Sequence, residues 1–156
     1  MLVYVTGSLR NARVKEIANE LRQRSEFDVF DDYMAVGPEA DDYWIQYESD
    51  RGHSYAEGLR GRAADHVFYY DKAYLDLADV VVVVLPAGKS SMLEAGYSAA
   101  RGKLVYLLRG PDEDDGRYDV MKKFSAGMID SVENLKEAIL SAAAKYLPIE
   151  ESAYET

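Results

Sequence analysis

The chain has 156 residues, a net charge of −10 and no cysteine, so it is long enough for one domain with a core, and disulfides, thiolate metal sites and a thiol nucleophile are excluded. The negative charge argues against long nucleic acid as a partner, because binding a phosphate backbone needs a basic surface. No apolar run approaches the ~20 residues of a membrane span and no basic leader precedes the first apolar run, so we expect a cytoplasmic protein without membrane contact.

The first thirty residues predict a strand, a helix and a second strand. An apolar run at Leu2–Val5 leads into the loop Thr6–Asn11. Beyond that loop, apolar residues recur at the 3- and 4-residue spacing of an amphipathic helix. They are Val14, Ile17, Ala18 and Leu21. Residues 27–30 form the second apolar run, and a strand–helix–strand unit of this kind is expected to be parallel and right-handed.

Residues 31–60 depart from this alternation, and we interpret them as an elaboration that covers one edge of the sheet or the site. Pro38 and the acids after it predict a helix that ends at Gly52. The stretch Ser54–Glu57 has the spacing of a capping box for the next helix, which we predict runs to about Ala78. Two glycines are weak points where this helix can bend, Gly58 and Gly61.

The second half of the chain predicts three more strands and two helices. Asp79 opens a run of five valines, and continuous apolar runs mark strands that are buried on both faces of a parallel sheet. A helix at about Ser91–Arg101 follows, then a strand at Leu104–Leu108. A short strand at 126–129 precedes a last amphipathic helix capped by Ser131.

Together these elements predict a single α/β domain at residues 1–148, a three-layer sandwich around a five-stranded, mostly parallel sheet of the flavodoxin or Rossmann kind. An acidic loop at 109–118 precedes the last strand, and a polar tail follows at 149–156. The chain has no G-x-G-x-x-G or Walker A motif, and no metal-ligand spacing surrounds its two histidines, His53 and His66. We therefore predict that the protein uses no cofactor and no metal.

The turn and helix after the valine run bring two hydroxyls and a carboxylate to the end of a central strand. Ser91 and Glu94 have the spacing of a capping box, in which the glutamate would bind its own helix terminus. Alternatively, Glu94 faces the crevice at the carboxyl end of the strand, where open α/β sheets bind ligands. A carboxylate there can act as a base or as a nucleophile at a sugar carbon.

Asp71 is a second candidate, because it lies on the apolar stripe of its predicted helix with Val67, Leu75 and Ala78. An unpaired carboxylate in such a stripe is costly. It is therefore either hydrogen-bonded for structural reasons or kept for function with a raised pKa.

Two turns are candidates for binding an anion. The loop at Thr6–Asn11 places Gly7, Ser8 and Arg10 between a strand and a helix N-terminus, which is the geometry of a phosphate site. In the turn after the valines, Lys89, Ser90 and Ser91 could converge on the same phosphate. Helix capping, and a surface position for Arg10, are the simpler explanations of the same residues.

Three stretches share residues with a known family. They are the first strand and its loop at 4–10, the spacing from Asp71 to Asp79 ahead of the valines, and the run Ser90–Ala99 followed by Gly102 and Lys103. In these stretches the chain resembles the nucleoside 2-deoxyribosyltransferase superfamily, which includes the 2′-deoxynucleoside 5′-monophosphate N-glycosidases. The resemblance covers roughly positions 1–25 and 65–110, about half of the chain.

The resemblance implies an enzyme that cleaves the N-glycosidic bond of a (deoxy)nucleoside or of its 5′-monophosphate, by hydrolysis or by transfer to a second base. Glu94 would attack C1′ of the sugar. Asp71 would orient it and handle the proton on the leaving base, and Tyr4 would contact the substrate near the glutamate. The resemblance also implies a homodimer or a higher assembly, in which neighbouring subunits contribute to the sites.

In the branch of the family that requires a phosphate, the 5′-phosphate would be held by Gly7, Ser8, Arg10 and a serine of the second turn. The family often has a serine six residues before the glutamate and a glycine four before it. In this chain those positions are Gly88 and Ser90, so the hydroxyls have moved. Candidates for stacking on the base are aromatic, although core packing also explains each: Trp44, Tyr47 and Phe68.

Two other functions stay open. One is an enzyme with a related mechanism that cleaves the nicotinamide–ribose bond of NAD. The other is a non-catalytic module that senses nucleotides. In every case the expected partner is a small nucleoside or nucleotide.

Overall fold

The computed structural model of the protein describes residues 1–110 and 119–146. Its strands are β1 (Leu2–Gly7), β2 (Asp28–Phe30), β3 (Val80–Val84), β4 (Leu104–Leu108) and β5 (Gly127–Ile129). Its helices are α1 (Arg13–Arg22), α2 (Ala40–Asp50), α3 (Tyr55–Gly58), α4 (Arg62–Leu77), α5 (Lys89–Ala100) and α6 (Val132–Tyr146). Most of the predicted acidic loop, and the predicted tail at 149–156, lie outside the described residues.

The strands form one sheet in the order β2-β1-β3-β4-β5, and each pair of neighbours is parallel. The predicted α/β class and the five-stranded parallel sheet are therefore confirmed. The chain leaves β1 toward β2 on one side and continues in β3 on the other side. Such a reversal opens a crevice at the carboxyl ends of the two central strands, β1 and β3, and ligands bind in crevices of this kind.

The five valines of β3 explain why the sheet is covered on both faces. Val80, Val82 and Val84 belong to the core cluster beneath α1 and α6, whereas Val81 and Val83 belong to the cluster beneath α4 and α5. Alternate side chains point to opposite faces of a strand, so an unbroken apolar run needs a helical layer on each side. Within the described residues, no helix is long and apolar enough to cross a bilayer.

The elaboration contributes α2 and α3, and α2 packs against both α3 and α4. The capping box of Ser54 and Glu57 is confirmed, but the single helix predicted from it to Ala78 is wrong. The chain forms α3 and α4 separately, with extended backbone at Gly61 between them. The buried side chain of Glu48 lies against this break, because a Cβ at Gly61 would lie only 2.8 Å from its Oε1.

Candidate active site

Glu94 faces the crevice between β1 and β3. The helix α5 begins at Lys89 after an extended Gly88, and no side chain caps it. The predicted start at Ser91 is therefore two residues late, and the capping-box alternative for Glu94 is wrong. The carboxylate crosses to β1 instead, where it accepts hydrogen bonds from Thr6 Oγ1 at 2.5 Å and from the Tyr4 hydroxyl at 3.3 Å.

The two hydroxyls reach Glu94 because Tyr4 and Thr6 are two residues apart on β1 and so point to the same face of the sheet. Thr6 Oγ1 also lies 3.1 Å from Ser91 Oγ. A hydroxyl has one hydrogen. That of Thr6 goes to the carboxylate, the stronger acceptor, and Ser91 donates to Thr6 in turn. Sequence reasoning gave Thr6 no role at the glutamate, although its position at the end of a central strand was a usable signal.

Tyr4 is fully buried and stacks on Phe30 with ring centroids 5.0 Å apart. Burial and the nearby Glu94 carboxylate both raise the pKa of this phenol, so it stays protonated and acts as a donor. Tyr4 contacts the Glu94 carboxylate but does not itself line the cavity. Its predicted contact with substrate stays a prediction, whereas its contact with Glu94 is direct.

Asp71 lies on α4 and lines the same cavity as Glu94. Burial, then the negative charges of Glu94 and Asp41, raise the pKa of Asp71 to about 7. Among the described residues it has no hydrogen-bond partner, which removes the structural alternative for this carboxylate. Burial also raises the pKa of Glu94, but the hydroxyls of Thr6 and Tyr4 oppose this rise by stabilising its charged form.

The two acids therefore differ in their hydrogen bonding. Both pKa values are raised, but only Glu94 accepts hydrogen bonds that favour its charged form, whereas Asp71 has burial and two negative neighbours without such a donor among the described residues. Surroundings that differ in this way are how a site gives two carboxyl groups different protonation behaviour. Asp41, which adds negative charge to both, is a third acid that the sequence did not indicate.

Replacing Thr6 with valine tests how Glu94 is held. Valine keeps the shape of the buried side chain but cannot donate, so we expect the pKa of Glu94 to rise further above its ordinary value. A pH titration of the Glu94 carboxyl carbon by NMR measures this shift. Thr6→Ser retains the hydroxyl and is the matched control. An identical Glu94 titration in Thr6→Val and in wild type would contradict the contact.

The loops around the carboxylates are held close together by small residues and by one arginine. A Cβ at Gly7 would lie 2.5 Å from Val14 Cγ2, so only glycine lets α1 approach the end of β1. Arg13 donates to the carbonyl oxygens of Leu85 at 3.0 Å and of Arg109 at 3.2 Å. These bonds tie the ends of β3 and β4 to the start of α1. Arg13 is a structural residue of the site that sequence reasoning missed.

The cavity above the carboxylates has a volume of about 1320 Å³. It brings together most of the predicted site residues: Gly7, Ser8, Arg10, Asp71, Gly88, Ser90, Ser91 and Glu94. Two of the predicted stacking aromatics, Trp44 and Tyr47, also line it, whereas Phe68 does not and is 57% exposed. No group of three or more histidine or acidic side chains within residues 1–110 and 119–146 is placed to hold a metal ion.

The elaboration and α4 supply most of the rest of the wall. Its lining residues include charged groups without any regular spacing in the sequence: Asp41, Glu48, Arg51, His53 and Arg60, with Arg62 and His66 following on α4. Neither periodicity nor a motif marks these positions, so their convergence is visible only in the fold.

The fold and the site together define an open, parallel α/β domain in which Glu94 and Asp71 line one cavity. Among solved structures, a 2-deoxyribosyltransferase from Bacillus psychrosaccharolyticus matches 87% of this chain and 90% of its own, with 14% sequence identity and a TM-score of 0.58. A CMP N-glycosidase from Clostridium botulinum matches 89% of this chain and 98% of its own, with 12% identity and a TM-score of 0.49.

The likeness to the first of these structures shows a shared fold. It confirms, at the level of the fold, the resemblance predicted from the first strand, from Asp71 and from the residues around Glu94. No protein-family model matches the chain, and no curated protein matches it in sequence.

Proposed function

We propose that this protein is an enzyme that cleaves the N-glycosidic bond of a (deoxy)nucleoside or of its 5′-monophosphate. The observation that carries the proposal is the pair of acids that line one cavity, Glu94 on α5 and Asp71 on α4. Glu94 is bound by two hydroxyls, and Asp71, in the same cavity, has a pKa of about 7. The solved structure that shares the fold, whose name is that of a 2-deoxyribosyltransferase, is consistent with this chemistry.

The proposed reaction begins with attack of a Glu94 oxygen on C1′ of the sugar. The bond from C1′ to the base nitrogen breaks, its electron pair stays on the base, and the base takes the proton of Asp71. Water or a second base then attacks C1′ and releases Glu94, and the proton of this second nucleophile goes to Asp71. Each step passes through an oxocarbenium-like state, which a carboxylate beneath C1′ stabilises.

The loop at Thr6–Asn11 and the turn after the valines of β3 are the proposed site for a 5′-phosphate. Gly7, Ser8 and Arg10 of the loop and Ser90 and Ser91 of the turn line the same cavity. Arg10 is exposed and only 3.6 Å from the exposed Asp42. An ion pair of this kind contributes little, so the guanidinium remains available for an anionic ligand.

Arg10→Ala is expected to raise KM for a deoxynucleoside 5′-monophosphate by about ten-fold or more, because it removes a charge-assisted contact worth about 1.5–3 kcal/mol. The KM for the matching deoxynucleoside should change much less. Steady-state kinetics with both substrates measures the difference. Arg24→Gln, which changes an exposed arginine outside the cavity, is the control. Equal changes in KM for the two substrates would argue against a phosphate site at Arg10.

A panel of deoxynucleosides, their 5′-monophosphates and NAD tests the function as a whole. Release of free base from a deoxynucleoside or its monophosphate supports the proposal, and release of nicotinamide alone supports the alternative NAD-cleaving enzyme. Thermal stabilisation by a nucleotide without any product would indicate a sensing module. Adding a second free base to the reaction separates hydrolysis from transfer.

We also propose that the protein is a homo-oligomer and that it works in the cytoplasm, where nucleotides are processed. What supports the assembly is a set of exposed apolar side chains on α4 and α5, Phe68, Tyr69, Leu77 and Leu93, the last of them 76% exposed. Exposed apolar surface favours association. Light scattering on the intact chain tests the assembly.

A further inference from the structure

The elaboration contains a buried glutamate that the proposed reaction does not use. Glu48 is 3% exposed, and its side chain lies in a slot beside two glycines. A Cβ at Gly58 would lie 2.9 Å from Glu48 Cβ, and a Cβ at Gly61 would lie 2.8 Å from Glu48 Oε1. The two glycines that interrupt the predicted helix therefore make room for this carboxyl group.

Glu48 holds His53. The Nδ1 atom of His53 lies 2.5 Å from Glu48 Oε2, and the backbone N–H of His53 donates to the Glu48 carbonyl oxygen at 3.0 Å. Both residues line the cavity. The other ring nitrogen of His53, Nε2, makes no hydrogen bond with the described part of the chain. A ring fixed at one nitrogen by a carboxylate presents the other nitrogen to a ligand.

Three arginines line the cavity close in sequence to Glu48 or to Gly61, which Glu48 contacts: Arg51, Arg60 and Arg62. Arg51 donates to the Tyr47 hydroxyl at 2.9 Å. Arg60 and Arg62 make no ion pair with any of the described residues, although the chain carries ten more negative than positive charges. An arginine guanidinium presents a planar set of N–H donors that matches the oxygens of a phosphoryl group. Arginines that line a cavity without carboxylate partners are therefore available to bind one.

The position of this group along α4 separates it from Asp71. Glu48 contacts Gly61 at the start of α4, and Asp71 lies ten residues further along the same helix. At a rise of 1.5 Å per residue, Gly61 and Asp71 are about 15 Å apart along the helix axis. This separation places Glu48 and His53 toward the start of α4, away from the two acids of the proposed reaction.

We propose that His53 and the arginines at 51, 60 and 62 form a second subsite, for the phosphoryl group of a second nucleotide unit. The proposal rests on the proposed function, because it places the first nucleoside at Glu94 and Asp71. The phosphoryl group belongs either to a dinucleotide that spans the cavity or to a separate phosphorylated second substrate. Both sources present the same oxygens to the subsite.

Calorimetric titration with inorganic pyrophosphate tests the subsite on the full chain. We expect wild type to bind pyrophosphate and the double variant Arg60→Gln/Arg62→Gln to bind it at least about ten-fold more weakly. His53→Gln should also weaken binding. Arg24→Gln, an exposed arginine paired with Glu26, is the matched control and should bind like wild type.

The outcomes separate the alternatives. Competition of NAD with both pyrophosphate and a deoxynucleoside supports a spanning dinucleotide. Simultaneous binding of pyrophosphate and a deoxynucleoside, without such competition, supports a separate second substrate. Wild-type affinity for pyrophosphate in the double variant, or binding lost only in Arg10→Ala, overturns the subsite. Pyrophosphate binding that depends on Arg60 and Arg62, in a protein that releases no base, would retain the subsite and reject the proposed function.

Discussion

Glu94→Gln is expected to stop base release, with a fall in kcat of about 10⁴-fold or more, because an amide oxygen cannot form the sugar–enzyme bond. Glutamine keeps the size of the side chain, and its amide oxygen can still accept the hydrogen bond of Thr6. The fold should therefore persist. Chromatographic measurement of free base, with the melting temperature measured in parallel, separates lost chemistry from lost structure.

The control for this variant is Glu16→Gln, the same chemical change on the exposed side of α1, which should leave base release at the wild-type rate. Mass spectrometry of the intact wild-type protein during turnover adds a direct test. A sugar adduct should appear on wild type and be absent from Glu94→Gln. Undiminished turnover in Glu94→Gln would remove the glutamate from the proposed mechanism.

The direction of Glu94 could not be predicted from the sequence, although its place could. A run of five valines predicts a strand buried on both faces, and a residue soon after such a strand lies near the ligand crevice. The spacing of Ser91 and Glu94, however, also fits a capping box. What decides between the two is that α5 begins at Lys89, a difference of two residues, and helix boundaries are uncertain by about that much.

The part of the cavity lined by His53 and the arginines at 51, 60 and 62 could not be predicted, for a different reason. Gly58 and Gly61 read as weak points of one helix, because glycine costs backbone entropy in a helix interior. The structure uses them to admit the side chain of Glu48. A buried glutamate at an irregular position leaves no periodic signal in the sequence. The position of His53 and of the arginines at 51, 60 and 62 therefore follows only from the packing of α2, α3 and α4.

Asp71→Asn is the second variant with a large expected effect. An amide cannot give a proton to the leaving base, so we expect kcat to fall by about 10²–10⁴-fold. The loss should be smaller for a substrate whose base leaves without being protonated. The pH profile of kcat/KM adds a more specific test. Wild type needs Glu94 ionised and Asp71 protonated, so its activity should rise as Glu94 ionises and fall above the Asp71 pKa of about 7. In Asp71→Asn the fall near pH 7 should disappear.

Stability measurements show whether the variant loses chemistry or structure. The pKa of Asp71 is raised from 3.8 to about 7 in the folded protein, so the folded state binds this proton more tightly than the unfolded state. That stabilising contribution is lost as pH rises through about 7, where the buried group must ionise. Asp71→Asn avoids this cost, and its melting temperature relative to wild type should be higher at pH 8 than at pH 5.

The control is Asp65→Asn, on the same helix but outside the cavity. It should keep both the fall of kcat/KM near pH 7 and the wild-type pH dependence of the melting temperature. A fall near pH 7 that persists in Asp71→Asn would show that another group gives the proton, and Asp41 would then be the residue to replace.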